Sequence, residues 1–202
     1  MKVEYLKQAW LVLMLAGIFG GALAGVETRL RGRIDANKLD ETYGQIPTLV
    51  SFVDNGRRKQ ADKDLTQEVT LGGKRVYKAF CKGPDGAGEH IGWVLRASGQ
   101  GFADRIELLV GLDAKAETIL GVYVLDQKET PGLGDKIRSE WSGRFAGKSA
   151  TEDVRIVKTA PTGNQVQAIT GATVSSTSVC RIVNVAVIEF RNALIRERIL
   201  TQ

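Results

Sequence analysis

The chain has 202 residues, 43% of them hydrophobic and 25% charged, with a formal net charge of +5. That length carries one sizeable domain plus a small appendage. Scattered basic residues without an interleaved aromatic stripe argue against nucleic-acid binding. One histidine (His90), two cysteines (Cys81 and Cys180) and no C-x-x-C give no zinc ribbon, haem-attachment or thioredoxin motif, and no metal site or catalytic triad is expected.

Residues 1–8 form a polar flank. Residues 9–26, AWLVLMLAGIFGGALAGV, carry no charge. As a helix rising 1.5 Å per residue they span about 27 Å, enough to cross a bilayer. Lys2, Lys7 and the small residues around Ala22 and Ala24 also fit a cleavable signal peptide; the expectation here is a retained single-pass helix. Gly17, Gly20, Gly21 and Gly25 would give it a small-residue face suited to a neighbouring membrane helix. Lys2 and Lys7 precede the span, whereas Arg29, Arg31, Arg33 and Lys38 follow it. Counted by the positive-inside rule, that places the C-terminal part in the cytoplasm.

Residues 27–70 read as a linker with an amphipathic run over 39–53, and 71–202 as the folded domain. Strands are expected at 74–81, 91–97, 105–112, 118–125 and 154–159. Ile106, Leu108, Val110 and Leu112 alternate with a period of two, and the short turn 113–117 predicts an antiparallel hairpin. His90, beside Glu89, reads as a surface histidine. Cys180 reads as packed, and a Cys81–Cys180 disulfide is left open.

Two loops carry more information. GQGF, Gly99 to Phe102, is a glycine turn. KETPGLGD, Lys128 to Asp135, contains Pro131, which fixes a turn, and Gly132 and Gly134, which permit close approach of a ligand to the backbone. It is either a plain strand-to-helix turn or a loop lying against a flat cofactor. A helix over 135–145 should bury Ile137, Trp141 and Phe145.

ITGATVSST, residues 169–177, holds five hydroxyl side chains. From Ser176 the pattern Val179, Ile182, Val183, Ala186, Phe190, Ala193, Leu194 marks one face of a long helix, with Ser175 or Ser176 as its N-cap. The stretch is either a Ser/Thr cap or a phosphate site at a helix N-terminus. Strands, a short helix, a strand and a long terminal helix together read as α+β.

The GxGF turn, hairpin, ETPGLG and GATVSS, in this order, resemble the FMN-binding domain of bacterial redox-driven ion pumps. The likeness is to the G subunit of Rnf-type ion-translocating ferredoxin:NAD oxidoreductase complexes, and also to the C subunit of the sodium-translocating NADH:quinone reductase. It covers residues from about 70 to 190 plus the anchor. It implies an antiparallel sheet with a long C-terminal helix, and FMN joined through its phosphate to Thr173. Thr170, Gly171, Ala172, Val174, Ser175 and Ser176 would form the phosphate cradle, and Glu129, Thr130, Gly132, Leu133 and Gly134 the loop against the flavin. Thr170 stands where the family has Ser, and Gln167 where an Asp is common.

The resemblance also implies a separate magnesium-dependent flavin transferase using FAD, other membrane subunits as partners, and electron transfer without independent catalysis. It places the anchor in the bacterial inner membrane with the soluble domain on the periplasmic or extracellular side, against the charge count. A stand-alone membrane-anchored FMN domain of another reductase or regulator, the NADH:quinone reductase paralogue, and a non-redox binding module are the rival readings.

Overall fold

The computed structural model describes residues 2–54, 57–83 and 87–197, with side chains from residue 9 onward except 54 and 57. The side chains of Lys2 and Lys7, and residues 198–202 of the expected domain, lie outside the described residues. The chain divides into two compact units, Met1–Glu41 and Thr42–Gln202.

Helix α1 is assigned to Lys2–Leu49. In the first unit its apolar side chains are bare: Leu13 and Leu23 are each 72% exposed and Phe19 68%. It is the one helix among the described residues long and apolar enough to cross a membrane. Residues 27–49, expected as linker, continue it; Arg31 pairs with Glu27 one turn back at 2.8 Å.

The second unit is built on a sheet. A hairpin of β1 (Ser51–Asp54) and β2 (Arg57–Gln60) stands apart from it. The main sheet is an antiparallel meander of six strands in chain order: β3 (Gln67–Leu71), β4 (Lys74–Lys82), β5 (Gly88–Gln100), β6 (Arg105–Asp113), β7 (Thr118–Asp126) and β8 (Lys148–Ser149). β9 (Arg155–Val157) and β10 (Gln165–Gln167) form a separate parallel pair leading into α2 (Thr173–Arg196). The α+β class, the antiparallel sheet and the long terminal helix are as expected.

The period of two sends alternate residues to two cores. Ile106, Leu108, Val110 and Leu112 of β6 join Val179, Ile182, Val183, Phe190 and Leu194 of α2 on one face. Leu109, with Tyr77, Ala79 and Val94, turns to the other face, where Ile46, Leu49 and Val50 cover it. Three glycines on adjacent strands make room for that cover. A Cβ on Gly92 would lie 2.7 Å from Val50 Cγ1, on Gly111 2.8 Å from Leu49 O, and on Gly121 3.3 Å from Leu49 Cδ2. Residues 46–50 thus sit in a trough across β5, β6 and β7, and each large apolar side chain buried there contributes about 1.5–3 kcal/mol.

Several expectations are corrected. The helix over 135–145 is two 3-10 segments, Gly134–Arg138 and Glu140–Phe145, although Ile137, Trp141 and Phe145 are buried as expected. Strands 51–54, 57–60, 67–71, 148–149 and 165–167 were not foreseen, since most are short and polar. His90 is half-buried: its Nε2 is 3.0 Å from Gly92 O and its ring meets Trp93 edge-on at 4.8 Å. Both cysteines are free and buried. Cys81 lies in the core under α1 and Cys180 in the core under α2, so the sheet stands between them. Burial pushes the Cys180 thiol up to about 11.

Candidate functional site

Three loops leave the sheet or enter α2 close together: 101–104 between β5 and β6, 127–135 after β7, and 168–172 before α2. Glu129 joins them. Its side chain is buried, 4% exposed. Oε1 accepts from the N–H groups of Phe102 (2.9 Å) and Ala103 (3.1 Å), and Oε2 accepts from Ser175 Oγ at 2.5 Å. A carboxylate held by two backbone amides and a hydroxyl has its charge distributed over hydrogen bonds, which makes its burial tolerable. The carboxylate that the resemblance placed against the flavin thus faces inward and fixes the loops.

The glycines of the second loop permit this approach. A Cβ on Gly134 would lie 2.8 Å from Ser175 Oγ and 2.9 Å from Glu129 Cβ. Gly171, at φ +83°, has no side chain, and a Cβ there would meet Leu133 Cδ2 at 3.1 Å. Gly132, at φ +75°, faces open space. The turn closes through Thr130 O, which accepts from Leu133 N and Asp135 N at 3.2 and 3.3 Å. At the first loop, the Arg105 N–H and then the Lys128 ammonium hold the Asp104 carboxyl below its usual range. Arg181 Nη2 ties α2 to Gln100 O at 3.0 Å.

The hydroxyls of 169–177 divide into two sets. Ser176 Oγ donates to Ala172 O and accepts from Ile169 N. Thr177 Oγ1 donates to Thr173 O, and Ser175 is held by Glu129. Neither serine caps the helix, contrary to expectation: α2 begins at Thr173 with Ala172 as N-cap and no side-chain cap bond. Among the described residues the hydroxyls of Thr170, which is exposed, and Thr173, which is half-buried, have no partner. The first helical bond runs from Ser176 N to Ala172 O, so the N–H groups of Thr173, Val174 and Ser175 have no acceptor within the helix. Ala172 N, expected to face the phosphate, donates instead to Ile169 O.

Apolar side chains stand open on the first two loops and on the first turn of α2: Phe102 is 64% exposed, Leu133 44% and Val174 55%. In the sequence GQGF reads only as a glycine turn, and nothing there marks Phe102 as an exposed apolar side chain. Free helix-terminal amides beside an unengaged threonine hydroxyl fit a phosphate, and three bare apolar side chains fit a flat aromatic group. No His/Cys/Asp/Glu cluster suited to a metal ion occurs among the described residues.

Comparison with known proteins agrees with this chemistry. The FMN-binding domain family matches residues 101–188, which contain all three loops. The G subunit of the Na(+)-translocating ferredoxin:NAD(+) oxidoreductase complex of Acetobacterium woodii is 36% identical over 108 residues, about half of each chain (52%). The G subunit of the ion-translocating oxidoreductase complex of Shewanella baltica is 30% identical over 206 residues, covering 95% of this chain and 92% of that one. The chain belongs to the family of these G subunits. It is a flavoprotein-type member of that family, with an FMN-binding domain and an N-terminal apolar helix. The crystal structure of Shewanella oneidensis NqrC matches at TM-score 0.54 and 26% identity, over 61% of this chain and 60% of that one. The C subunit of the Na(+)-translocating NADH-quinone reductase of Parabacteroides distasonis, at 20% identity and TM-score 0.57 over 82% and 96%, shares the fold.

Proposed function

We propose that this G-type subunit carries electrons through FMN joined by a phosphoester to Thr173, as a membrane-anchored part of an ion-translocating oxidoreductase complex. The observation that carries the reading is the unengaged Thr173 hydroxyl on the first residue of α2, while Ser175, Ser176 and Thr177 are committed to other bonds. The amides of Thr173, Val174 and Ser175, with the positive end of the helix dipole, would hold the phosphate charge. Leu133, Val174 and Phe102 would shield one side of the ring from water. Glu129 holds the first two loops and the first turn of α2 in register. Bound FMN supplies the one-electron chemistry, and the chain supplies position and electrostatics.

A threonine hydroxyl needs a base to become a nucleophile. The buried carboxylate of Glu129 is bonded to Ser175 and to loop amides rather than to Thr173. This supports attachment by a separate transferase: the Thr173 oxygen bonds to the FMN phosphorus of FAD, the pyrophosphate bond breaks and AMP leaves. We place the domain outside the cytoplasm on the strength of the family resemblance, with the other membrane subunits of the complex as its redox partners.

Intact mass tests the reading. Protein made with an active flavin transferase should exceed its sequence mass by one FMN less one water. Thr173→Ala should lack that increment and Thr170→Ala should keep it. If Thr173→Ala retains the increment and Thr170→Ala loses it, the attachment residue is Thr170. If the wild-type protein gains no mass, covalent attachment falls.

A further inference from the structure

The second unit buries most of its large apolar side chains. Among the described residues seven are exposed: Val53, the three at the candidate site, and Val185, Ile188 and Ile195. The last three share one face of α2. Arg181, Val185, Ile188, Asn192 and Ile195 are all exposed and follow one another at spacings of four, three, four and three. At 100° per residue they fall within an arc of about 80°. The same arc takes in Val174, the residue after Thr173. The core side of the helix is the opposite one, with Val179, Val183, Phe190 and Leu194.

Beside this outer face lies a cleft of about 230 Å³, lined from α2 by Val187, Ile188 and Ile195 and from elsewhere by Ile119 and Ala150. Glu152 and Asp153 line it too. Both are exposed, and their carboxylates make no hydrogen bond or ion pair among the described residues. On the other flank of the face Glu189 is paired with Lys74. Uncompensated negative charge therefore stands on the cleft side of the stripe.

An apolar stripe at spacings of three and four is the seam that one helix offers another, and a polar residue within it, here Asn192, fixes register. From Val185 to Ile195 the seam runs about 15 Å at 1.5 Å per residue, close to three turns. The two free acids select opposite charge. We propose that the outer face of α2 receives a helix of another subunit of the oxidoreductase complex. That helix is apolar along its seam and carries Lys or Arg on the flank that meets Glu152 and Asp153. The inference rests on the reading of the chain as a subunit of such a complex, and not on the attachment of FMN. Since Val174 continues the stripe, the docked subunit lies along the helix that begins at the candidate site.

The experiment uses the full chain in its complex, purified from detergent-solubilised membranes. A benzophenone amino acid replaces Val185, Ile188 and Ile195 in turn, and Gln67 on β3 as a control. Light should join the three α2 positions to one peptide of one membrane subunit, with apolar residues at helical spacing and Lys or Arg beside them. Gln67 should not join that peptide. Ile188→Asp should lower recovery of that subunit about tenfold, and the double change Glu152→Lys with Asp153→Lys should lower it as well. The thermal midpoint of the isolated chain should stay at the wild-type value in both variants. Undiminished recovery of the subunit with both variants overturns the docking and leaves the subunit reading standing. So does a cross-link to a second copy of this chain, to its own residues 198–202, to lipid or to nothing. A joined peptide without basic residues overturns the charge match and the proposal as stated. A wild-type chain that co-purifies with no membrane subunit overturns both the docking and the subunit reading.

Discussion

Ser175 Oγ donates to Glu129 Oε2 at 2.5 Å across 46 residues of sequence, with both side chains buried. The bond fastens the first turn of α2 to the loop after β7, and the other oxygen of the same carboxylate fastens the turn after β5. Glu129→Ala leaves two amides and a hydroxyl without their acceptor, at about 1–3 kcal/mol for each group that water cannot reach. Glu129→Gln keeps one oxygen for the amides, and the Ser175 hydroxyl can rotate to accept from the new NH2, so its loss should be smaller. Urea unfolding of the two variants should give that order. Equal midpoints for Glu129→Ala and wild type would remove Glu129 as the joint of the site.

Two glycines of the same loop should behave differently. Gly134→Ala places a methyl group 2.8 Å from Ser175 Oγ and 2.9 Å from Glu129 Cβ, so the joint must open. Reduced FMN loading together with lower stability is expected. Gly132→Ala meets open space but at φ +75°, so it carries only the left-handed strain of about 1–2 kcal/mol and should load normally. In-gel flavin fluorescence compares them; equal loading would mean that the loop adjusts without disturbing the site.

The folded unit should begin near Thr42. Ile46, Leu49 and Val50 are buried in the core beneath the sheet, and together they are worth roughly 5–9 kcal/mol at about 1.5–3 each, comparable with the whole stability of a domain. A chain starting at Thr42 should be soluble with a sharp melting transition, and one starting at Leu71 should aggregate. A cooperative transition from the shorter chain would show the trough to be dispensable.

Acid should weaken the domain through His90. Burial lowers its pKa below the ordinary 6.5, the Lys78 charge lowers it further, and the Gly92 carbonyl opposes both. The folded state therefore prefers the neutral ring. Its contribution is complete above about pH 6.5 and is lost as the pH falls below that value toward the folded pKa. His90→Gln should flatten the pH dependence of the melting temperature in this window; an unchanged slope would assign it to the carboxylates.

Protease added to spheroplasts should digest the domain, and protease added to sealed inverted membranes should not. The opposite pattern would restore the orientation given by Arg29, Arg31, Arg33 and Lys38.

The sheet was legible because β4 to β7 are long and apolar, with Ile106, Leu108, Val110 and Leu112 alternating in β6, and α2 because its apolar face repeats at helical spacing. The three loops were legible as motifs. Their union was not, because nothing in ETPGLG tells whether Glu129 faces solvent or the interior; that depends on amides 26 and 27 residues upstream and a hydroxyl 46 residues downstream. The serines of GATVSS looked like caps for the same reason. Hydroxyl residues before a helix usually accept from its amides, but Ser175 has a stronger acceptor in Glu129, and Ser176 turns back to Ala172 O. The role of residues 46–50 was hidden because three separated glycines, Gly92, Gly111 and Gly121, become neighbours only when the strands pair.

The trough gives those residues a stiff route to the site. Leu49 and Val50 rest on the middle strands β5, β6 and β7 rather than on an edge strand. Two of these strands run on without interruption into the loops that Glu129 gathers: β5 ends one residue before Gly101, and β7 three residues before Glu129. Extended, hydrogen-bonded backbone therefore runs from the trough to both loops that meet at the Glu129 carboxylate. Strain imposed at residues 46–50 would register as a change in the spacing between the Phe102 turn and α2.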